Sequence, residues 1–453
     1  MPTRPVVQNL RRLLLAAFAA LVLVAGLSAG AQAAQTAGLQ THLLWSNVDS
    51  AEVDRQLDTV AQAGAGLIRV DVGWAGIEPV KGQHSAWYLG RLDKVVDAAN
   101  ARGLDILITF WETPCWASTA PESAKQGCTG AWWDRGVQLY PPAAASDYAS
   151  ALAFVAKRYG TRVRAWEIWN EPNAADYFHS ANPARDYAAL VKAAYPAAKA
   201  VAPTTTIVAG SLMWADAAFT QSLYAEGIKG CFDAFSIHPY SDDRSPMDAG
   251  SDAYIRGSFI RGVPAVRDVL VAKGDAKPLW LTEFGWSTTS IRSSSPWLNG
   301  VDDDTQAAFI RAAYTQIKRW SYVDVGVYFN VYDTATSNGT TQGNFGLMHN
   351  DHSAKPALGA YRTAARDFGA AAVADTGVGD TGTAATAAGS APSGAVAGSG
   401  PTATPSAKPA TRLTRAQKAR ASRARASERR YRRKMSRLRA VQTRRAIALC
   451  KKR

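Results

Sequence analysis

Eight short apolar runs, separated by longer stretches of helical periodicity, constrain this chain more than any other feature. The runs are His42–Trp45, Leu67–Val72, Asp105–Trp111, Val163–Trp169, Thr206–Ala209, Phe232–Ile237, Leu279–Glu283 and Val325–Asn330. Helix-like segments follow them at Ala51–Ala63, Trp87–Arg102, Ala145–Tyr159, Ala184–Ala202, Ala253–Ala272, Asp303–Trp320 and Lys355–Arg366, with the shortest near Ala217–Gly227. Near-continuous apolar strands alternating with helices imply a parallel sheet covered on both faces. Eight such units favour a closed barrel over an open sheet, and no Gly-rich dinucleotide fingerprint follows the first run. The expected fold class is therefore α/β, a (β/α)8 TIM barrel over 35–369.

The two ends read differently. Residues 1–34 resemble a secretory signal peptide: Arg4, Arg11 and Arg12 precede an uncharged apolar run from Leu13 to Leu27, and Ala31-Gln32-Ala33 offers a small-x-small cleavage site. Residues 370–410 are mostly Gly, Ala, Thr, Ser and Pro, a composition that buries too little apolar surface to fold and reads as a disordered linker. Residues 411–453 form a basic tail in which Tyr431, Met435, Leu438 and Val441 fit one helical stripe. From Lys408 onward the chain carries 19 Lys and Arg against one acidic residue. The first 34 residues carry three Arg and no acid, so of the overall +14 the remainder keeps a net charge of about −7. That excludes nucleic acid as a partner for the central domain. The tail suits an anionic cell-envelope polymer or membrane surface, or serves as a solvated extension without specific role. The expected location is secreted, extracellular or envelope-associated, and the expected state is a monomer.

In an exported chain, Cys115 and Cys128 either close their Pro/Gly-rich loop with a disulfide or stay as thiols. Cys231, before an apolar run, reads as a buried thiol, and Cys450 has no evident partner. No Cys/His spacing suggests a metal site.

In such barrels the chemistry sits at the carboxyl ends of the strands. Those ends collect Arg69, Asp71 and Trp74, then Trp111 and Glu112, then Asn170 and Glu171, then His238 and Tyr240, then Glu283 and Trp286. Acetal hydrolysis needs one protonated and one ionised carboxyl, and Glu171 and Glu283 are the candidates. Arg69 and Tyr240 are expected to support Glu283, with Asn170 and His238 orienting neighbours or sugar hydroxyls. Glu167 shares strand parity with Glu171 and reads as a structural partner of Arg69, while Asp71 and Glu112 remain open between a structural and a site role. Among 14 Trp residues, Trp111, Trp286 and Trp74 are the candidate sugar platforms.

These segments resemble the retaining glycoside hydrolases of clan A. Trp166-Glu167-Ile168-Trp169-Asn170-Glu171-Pro172-Asn173 is similar to the strand-four motif whose last Glu is the acid/base, and Thr282-Glu283-Phe284-Gly285-Trp286 is similar to the strand-seven nucleophile motif. Within the clan the chain looks most like bacterial members of families 5 and 39. It departs at strand eight, where Tyr328-Phe329-Asn330 stands in place of the Trp that commonly floors the sugar site. The resemblance implies hydrolysis of O-glycosidic bonds in a poly- or oligosaccharide by double displacement, without cofactor. The alternative is a non-catalytic carbohydrate-binding barrel tethered to the envelope by its tail.

Overall fold

A computed structural model describes residues 35–369 together with Arg444, Ile447, Ala448 and Cys450. The expected signal peptide, the linker and most of the basic tail lie outside the described residues. Among those described, eight strands close into a parallel barrel in chain order: β1 (Thr36–Thr41), β2 (Leu67–Gly73), β3 (Asp105–Trp111), β4 (Ala165–Ile168), β5 (Thr206–Met213), β6 (Ala234–His238), β7 (Leu279–Phe284) and β8 (Val323–Tyr328). Each is followed by a helix: α1 (Ser50–Gln62), α2 (Ala86–Ala101), α3 (Ala145–Tyr159), α4 (Pro183–Val201), α5 (Ala217–Ala225), α6 (Phe259–Ala272), α7 (Asp303–Arg319) and α8 (Pro356–Gly369). The expected (β/α)8 barrel is thus present. The parallel ladder β1–β8, running from Thr36 opposite Val325 to Leu39 opposite Tyr328, closes it.

The first strand differs from the sequence expectation: it is Thr36–Thr41, and His42–Trp45 is the loop that follows. A Cβ on Gly38 would lie 2.8 Å from a Leu67 side-chain carbon and 3.1 Å from one of Val327. The space at Gly38 between Leu67 of β2 and Val327 of β8 is too tight for a large side chain, so this strand lacks the apolar run by which the others are visible. The tyrosine of α8 secures the same point, with Tyr361 Oη donating to the Gly38 carbonyl at 3.0 Å.

Local chemistry sets the helix ends. Asp49 caps α1 by accepting from the Glu52 amide, and Asp302 caps α7 by accepting from Thr305. Asp303 and Asp304 open α7 while Lys318 and Arg319 end it, which complements the helix dipole.

Inside the barrel, side chains two residues apart share a face and stack in layers. The lower layer is apolar, built from Leu67, Leu107, Ala165, Val208, Ala234, Val325 and Val327. Two residues on, Arg69, Thr109, Glu167 and Ser236 form a polar layer, all fully buried. The functional rim rests on that layer.

All four cysteines are paired. Cys115 and Cys128 form a disulfide with Cα atoms 5.7 Å apart, closing the loop after β3. Cys231 and Cys450 form a second, Cα to Cα 5.0 Å, across 219 residues of sequence. This corrects the expectation of a buried thiol at Cys231 and an unpartnered Cys450. Cys450 is buried in the same hydrophobic cluster as Cys231, and Ile447 packs partly buried against it. The burial expected at Cys231 is real, but it is shared with a residue that sequence proximity could not pair with it.

Candidate active site

The polar layer is organised by Arg69, which cannot lose its charge and has no access to water. Its Nε donates to Glu167 Oε2 at 2.9 Å, and its Nη1 donates to Gln40 Oε1 at 2.9 Å and Glu283 Oε1 at 2.5 Å. Its Nη2 donates to Asn170 Oδ1 at 2.8 Å. Glu167 also accepts from Thr109 Oγ1 at 2.8 Å and Ser236 Oγ at 2.7 Å. Five donors and acceptors therefore converge on one buried ion pair, which satisfies the charges that burial would otherwise make costly. Glu167 is held well inside this network, as its structural reading anticipated. Burial raises its pKa, but Arg69 and the hydroxyl donors outweigh that and leave it below the usual carboxylate range.

The rim above is shaped by the exit of β4. Trp169 and Glu171 both adopt left-handed backbone, φ 65° and 47°, an arrangement uncommon for residues with a Cβ. The Glu171 amide is tied to the Ser211 carbonyl at 2.9 Å on the neighbouring strand. The turn delivers Glu171 toward His238, whose Nδ1 lies 2.8 Å from Glu171 Oε1 and 3.8 Å from Glu283 Oε2. Tyr240 Oη donates to Glu283 Oε2 at 2.8 Å. Carboxylate oxygens of Glu171 and Glu283 come within 4.8 Å of each other and of a His238 nitrogen. The two carboxylates are only 5% and 8% exposed.

Those two groups sit in different company. Burial pushes both pKa values up. Against that, Glu283 has a guanidinium and a phenol hydroxyl, whereas Glu171 has one imidazole. Burial lowers the pKa of His238 and keeps the ring neutral. Its Nε2 meets Ser211 Oγ at 3.2 Å. Glu171, His238 and Glu283 have the spacing of a metal-ligand group, yet each atom already has a partner, and the Arg69 charge beneath opposes a cation.

A cavity of about 520 Å³ opens over this pair. Asn170, Glu171, Tyr240, Glu283 and Trp111 line it, as the sequence reading placed them. Arg69 and His238 lie beneath, reaching ligand only through the carboxylates. Asp71 and Glu112, left open by sequence, both face the cavity, and burial pushes their pKa values up to about 6 and about 7. Two expected platforms do not. Trp74 is fully buried, its Nε1 donating to Glu78 Oε2 at 2.9 Å, and its ring packs edge-on against Trp116. Trp286 is buried, with Nε1 donating to the Arg244 carbonyl at 2.9 Å. Both satisfy their indole N–H inside the protein and serve to brace loops. The cavity's aromatic walls are instead Trp45, Trp111, Tyr88, Tyr177, Trp214, Trp297, Phe329 and Phe345. Phe329 belongs to the strand-eight segment that lacks the usual Trp. Trp45 and Trp214 sit on loops with no local sequence signal, while Trp297 stands in the short turn Pro296–Leu298 after β7, following a strand end as several of the chain's tryptophans do.

The profile of cellulase (glycosyl hydrolase family 5) matches residues 27–325, most of the barrel. The chain belongs to glycosyl hydrolase family 5. Its fold is the clan A barrel that the strand-four and strand-seven motifs implied. A comparison with curated proteins found no match. Among solved structures, it is similar to a family 39 glycoside hydrolase from Bacteroides cellulosilyticus, at 25% identity and TM-score 0.57, covering 74% of this chain and 64% of that one. A GH5_18 enzyme from Streptomyces cattleya in complex with GlcNAc shares the fold at 18% identity and TM-score 0.54, over 75% and 82% of the two chains. A monomeric β-xylosidase from Caulobacter crescentus does so at 18% identity and TM-score 0.52, over 73% and 69%.

Proposed function

We propose that this family 5 glycosidase is an exported, retaining β-glycosidase acting on a poly- or oligosaccharide. Glu171 protonates the glycosidic oxygen while Glu283 attacks the anomeric carbon; Glu171 then takes a proton from the water that releases the glycosyl-enzyme. The observation that carries this reading is the approach of the two carboxylates to within 4.8 Å. Retaining pairs stand about 5–5.5 Å apart, whereas inverting pairs leave roughly 6.5–9.5 Å for a water.

Neighbours favour opposite protonation states in the resting enzyme. Arg69 and Tyr240 hydrogen-bond the ionised form of Glu283, so the first proton leaves there. Glu171, buried beside that new charge, keeps its proton. Neutral His238 serves both halves of the cycle. It accepts from protonated Glu171 at Nδ1 with its own proton on Nε2 toward Ser211, and donates from Nδ1 in the other tautomer once Glu171 is ionised. Asn170, its Oδ1 held by Arg69, keeps Nδ2 available for a sugar hydroxyl. Export is supported by the signal-like start and by two disulfides, which persist in oxidising compartments.

The test is stereochemical. Proton NMR of the first product from an aryl β-glycoside should show the β-anomer before mutarotation, and an α-anomer first would overturn the double displacement. Glu283→Gln should abolish turnover of the same glycoside.

A further inference from the structure

The active-site cavity carries more negative charge than the proposed chemistry uses. Five carboxyl groups line it, those of Asp71, Glu112, Glu171, Asp242 and Glu283, and among the described residues no Lys or Arg does. His42, also on the lining, is kept neutral by burial, which lowers its pKa to about 4. Three of the five carboxyls have partners that account for them. Glu171 meets His238, Glu283 meets Arg69 and Tyr240, and Asp242 has Arg244 at 3.5 Å.

Asp71 and Glu112 are left over. Asp71 accepts from Gln40 Nε2 at 2.7 Å, but Arg69 Nη1 stands 4.0 Å away and is engaged by Glu283 at 2.5 Å. Glu167 holds Nε of the same guanidinium at 2.9 Å, so three carboxylates share one positive charge. The Glu112 carboxyl has no hydrogen-bond or ion-pair partner among the described residues. Burial and the nearby Asp71 charge raise its pKa to about 7. The fold nevertheless makes room for it. Glu112 takes left-handed backbone, φ 64°, and its side chain lies over β2, where a Cβ on Gly73 would stand 2.1 Å from Glu112 Oε2. Gly73 thus admits this carboxyl beside the strand that carries Asp71, and all three residues line the cavity.

Two neighbouring carboxyls short of counter-charge repel each other, and a cation on the ligand relieves both. A divalent metal takes about six or more oxygens, and among the described residues no third acidic or imidazole ligand joins this pair at metal spacing. An ammonium group, with three N–H donors, needs far fewer acceptors. The same field repels uronic and sulfated sugars. Because Asp71 and Glu283 face one nitrogen of Arg69, an ammonium at Asp71 belongs to the glycone.

We propose that Asp71 and Glu112 form an ammonium subsite, and that the glycan cleaved here carries free amino groups, as a de-N-acetylated amino-sugar chain does. The proposal rests on the glycosidase roles above and specifies the charge of their substrate.

The experiment uses 4-nitrophenyl β-glycosides of two sugar units at pH 7, in matched sets that differ only in an amino group or a hydroxyl at C2 of either unit, in the gluco, manno and galacto series. An amino group also changes the lability of the bond, so the quantity read is how a variant changes the amine-to-hydroxyl ratio of kcat/KM. In whichever series is cleaved, the double variant Asp71→Asn, Glu112→Gln keeps shape, removes charge and should lower that ratio at least about ten-fold, equivalent to about 1.4 kcal/mol. Its thermal midpoint reports whether the barrel is intact. Inhibition of the wild type supplies a measurement independent of the variant. Amino oligosaccharides of that series should inhibit hydrolysis of the neutral glycoside at least about ten-fold more tightly than their hydroxyl counterparts, and added NaCl should erode the margin. A margin lost on adding EDTA would assign the pair to a metal ion and overturn the proposal. Turnover of the neutral glycosides with equal inhibition by the two sets, or a ratio unmoved in the folded double variant, would overturn the ammonium subsite and leave the glycosidase roles standing. No turnover in any series would remove both.

Discussion

Replacing Arg69 by Met removes the single cation beneath the active carboxylates. The side chain is similar in volume, so the change is chiefly electrostatic. Arg69 meets Glu167 at 2.9 Å and Glu283 at 2.5 Å, all with little or no exposure. At such separations each pair has a gross attraction of roughly 6 kcal/mol at an effective dielectric of about 20. Desolvation cancels much of it, and stripping one partner from a buried pair costs about 3–5 kcal/mol net. Relief comes when one orphaned carboxylate takes up a proton. Two consequences with definite signs follow. The loss of stability should be greatest at pH 8 and shrink toward pH 5, because protonation neutralises what Arg69 no longer balances. Glu283 must be ionised to attack, and Arg69 lowers its pKa against burial. Without Arg69 the acidic limb of the kcat/KM profile should therefore move to higher pH by at least about one unit, the equivalent of 1.36 kcal/mol. Thermal unfolding at the two pH values and a pH profile on an activated aryl glycoside read both effects. A destabilisation independent of pH together with an unmoved acidic limb would refute the assignment of Arg69 as the counter-charge of Glu283.

Four further outcomes are expected. Activity should fall again on the alkaline side as Glu171, its pKa raised by burial, loses its proton; Glu171→Gln should remove that limb and hit poor leaving groups far harder than activated ones. Glu167→Gln should keep Glu283 in place yet destabilise the barrel by about 1–3 kcal/mol in chemical denaturation, since Arg69 then loses one of the two carboxylates it hydrogen-bonds. Trp74→Phe should lower the unfolding midpoint through the lost bond to Glu78 with KM nearly unchanged, whereas Trp111→Ala should raise KM. Cys231→Ser should lower stability by about 2–5 kcal/mol on the chain-entropy account of disulfides, and full reduction of both proteins should abolish the difference between variant and wild type.

What the sequence exposes is what is local and periodic. Strands β2 to β8 carry apolar runs because helices cover them, and Glu171 and Glu283 are conspicuous because each ends such a run. The role of Glu167 also follows from parity, which points it at Arg69. β1 escapes because closure of the barrel demands small side chains at Gly38, so its own signal is suppressed and the loop beside it imitates a strand. Trp74 and Trp286 look like platforms from their place in sequence. Only the tertiary hydrogen bonds of their indoles reveal them as braces. Trp45, Trp214 and Trp297 reach the cavity from loops, where spacing carries no information about direction. Cys231 and Cys450 belong to the same class of miss: 219 residues separate two atoms that the fold brings into one bond.

That bond changes the connectivity of the polypeptide. From Cys231 onward, through the last three strands, the region 370–443 and back, the chain is a covalent ring. A protease that cuts anywhere in 370–443 opens the ring but frees nothing. The carboxyl-terminal fragment stays bound to the catalytic unit, and the two pieces separate in a denaturing gel only after reduction.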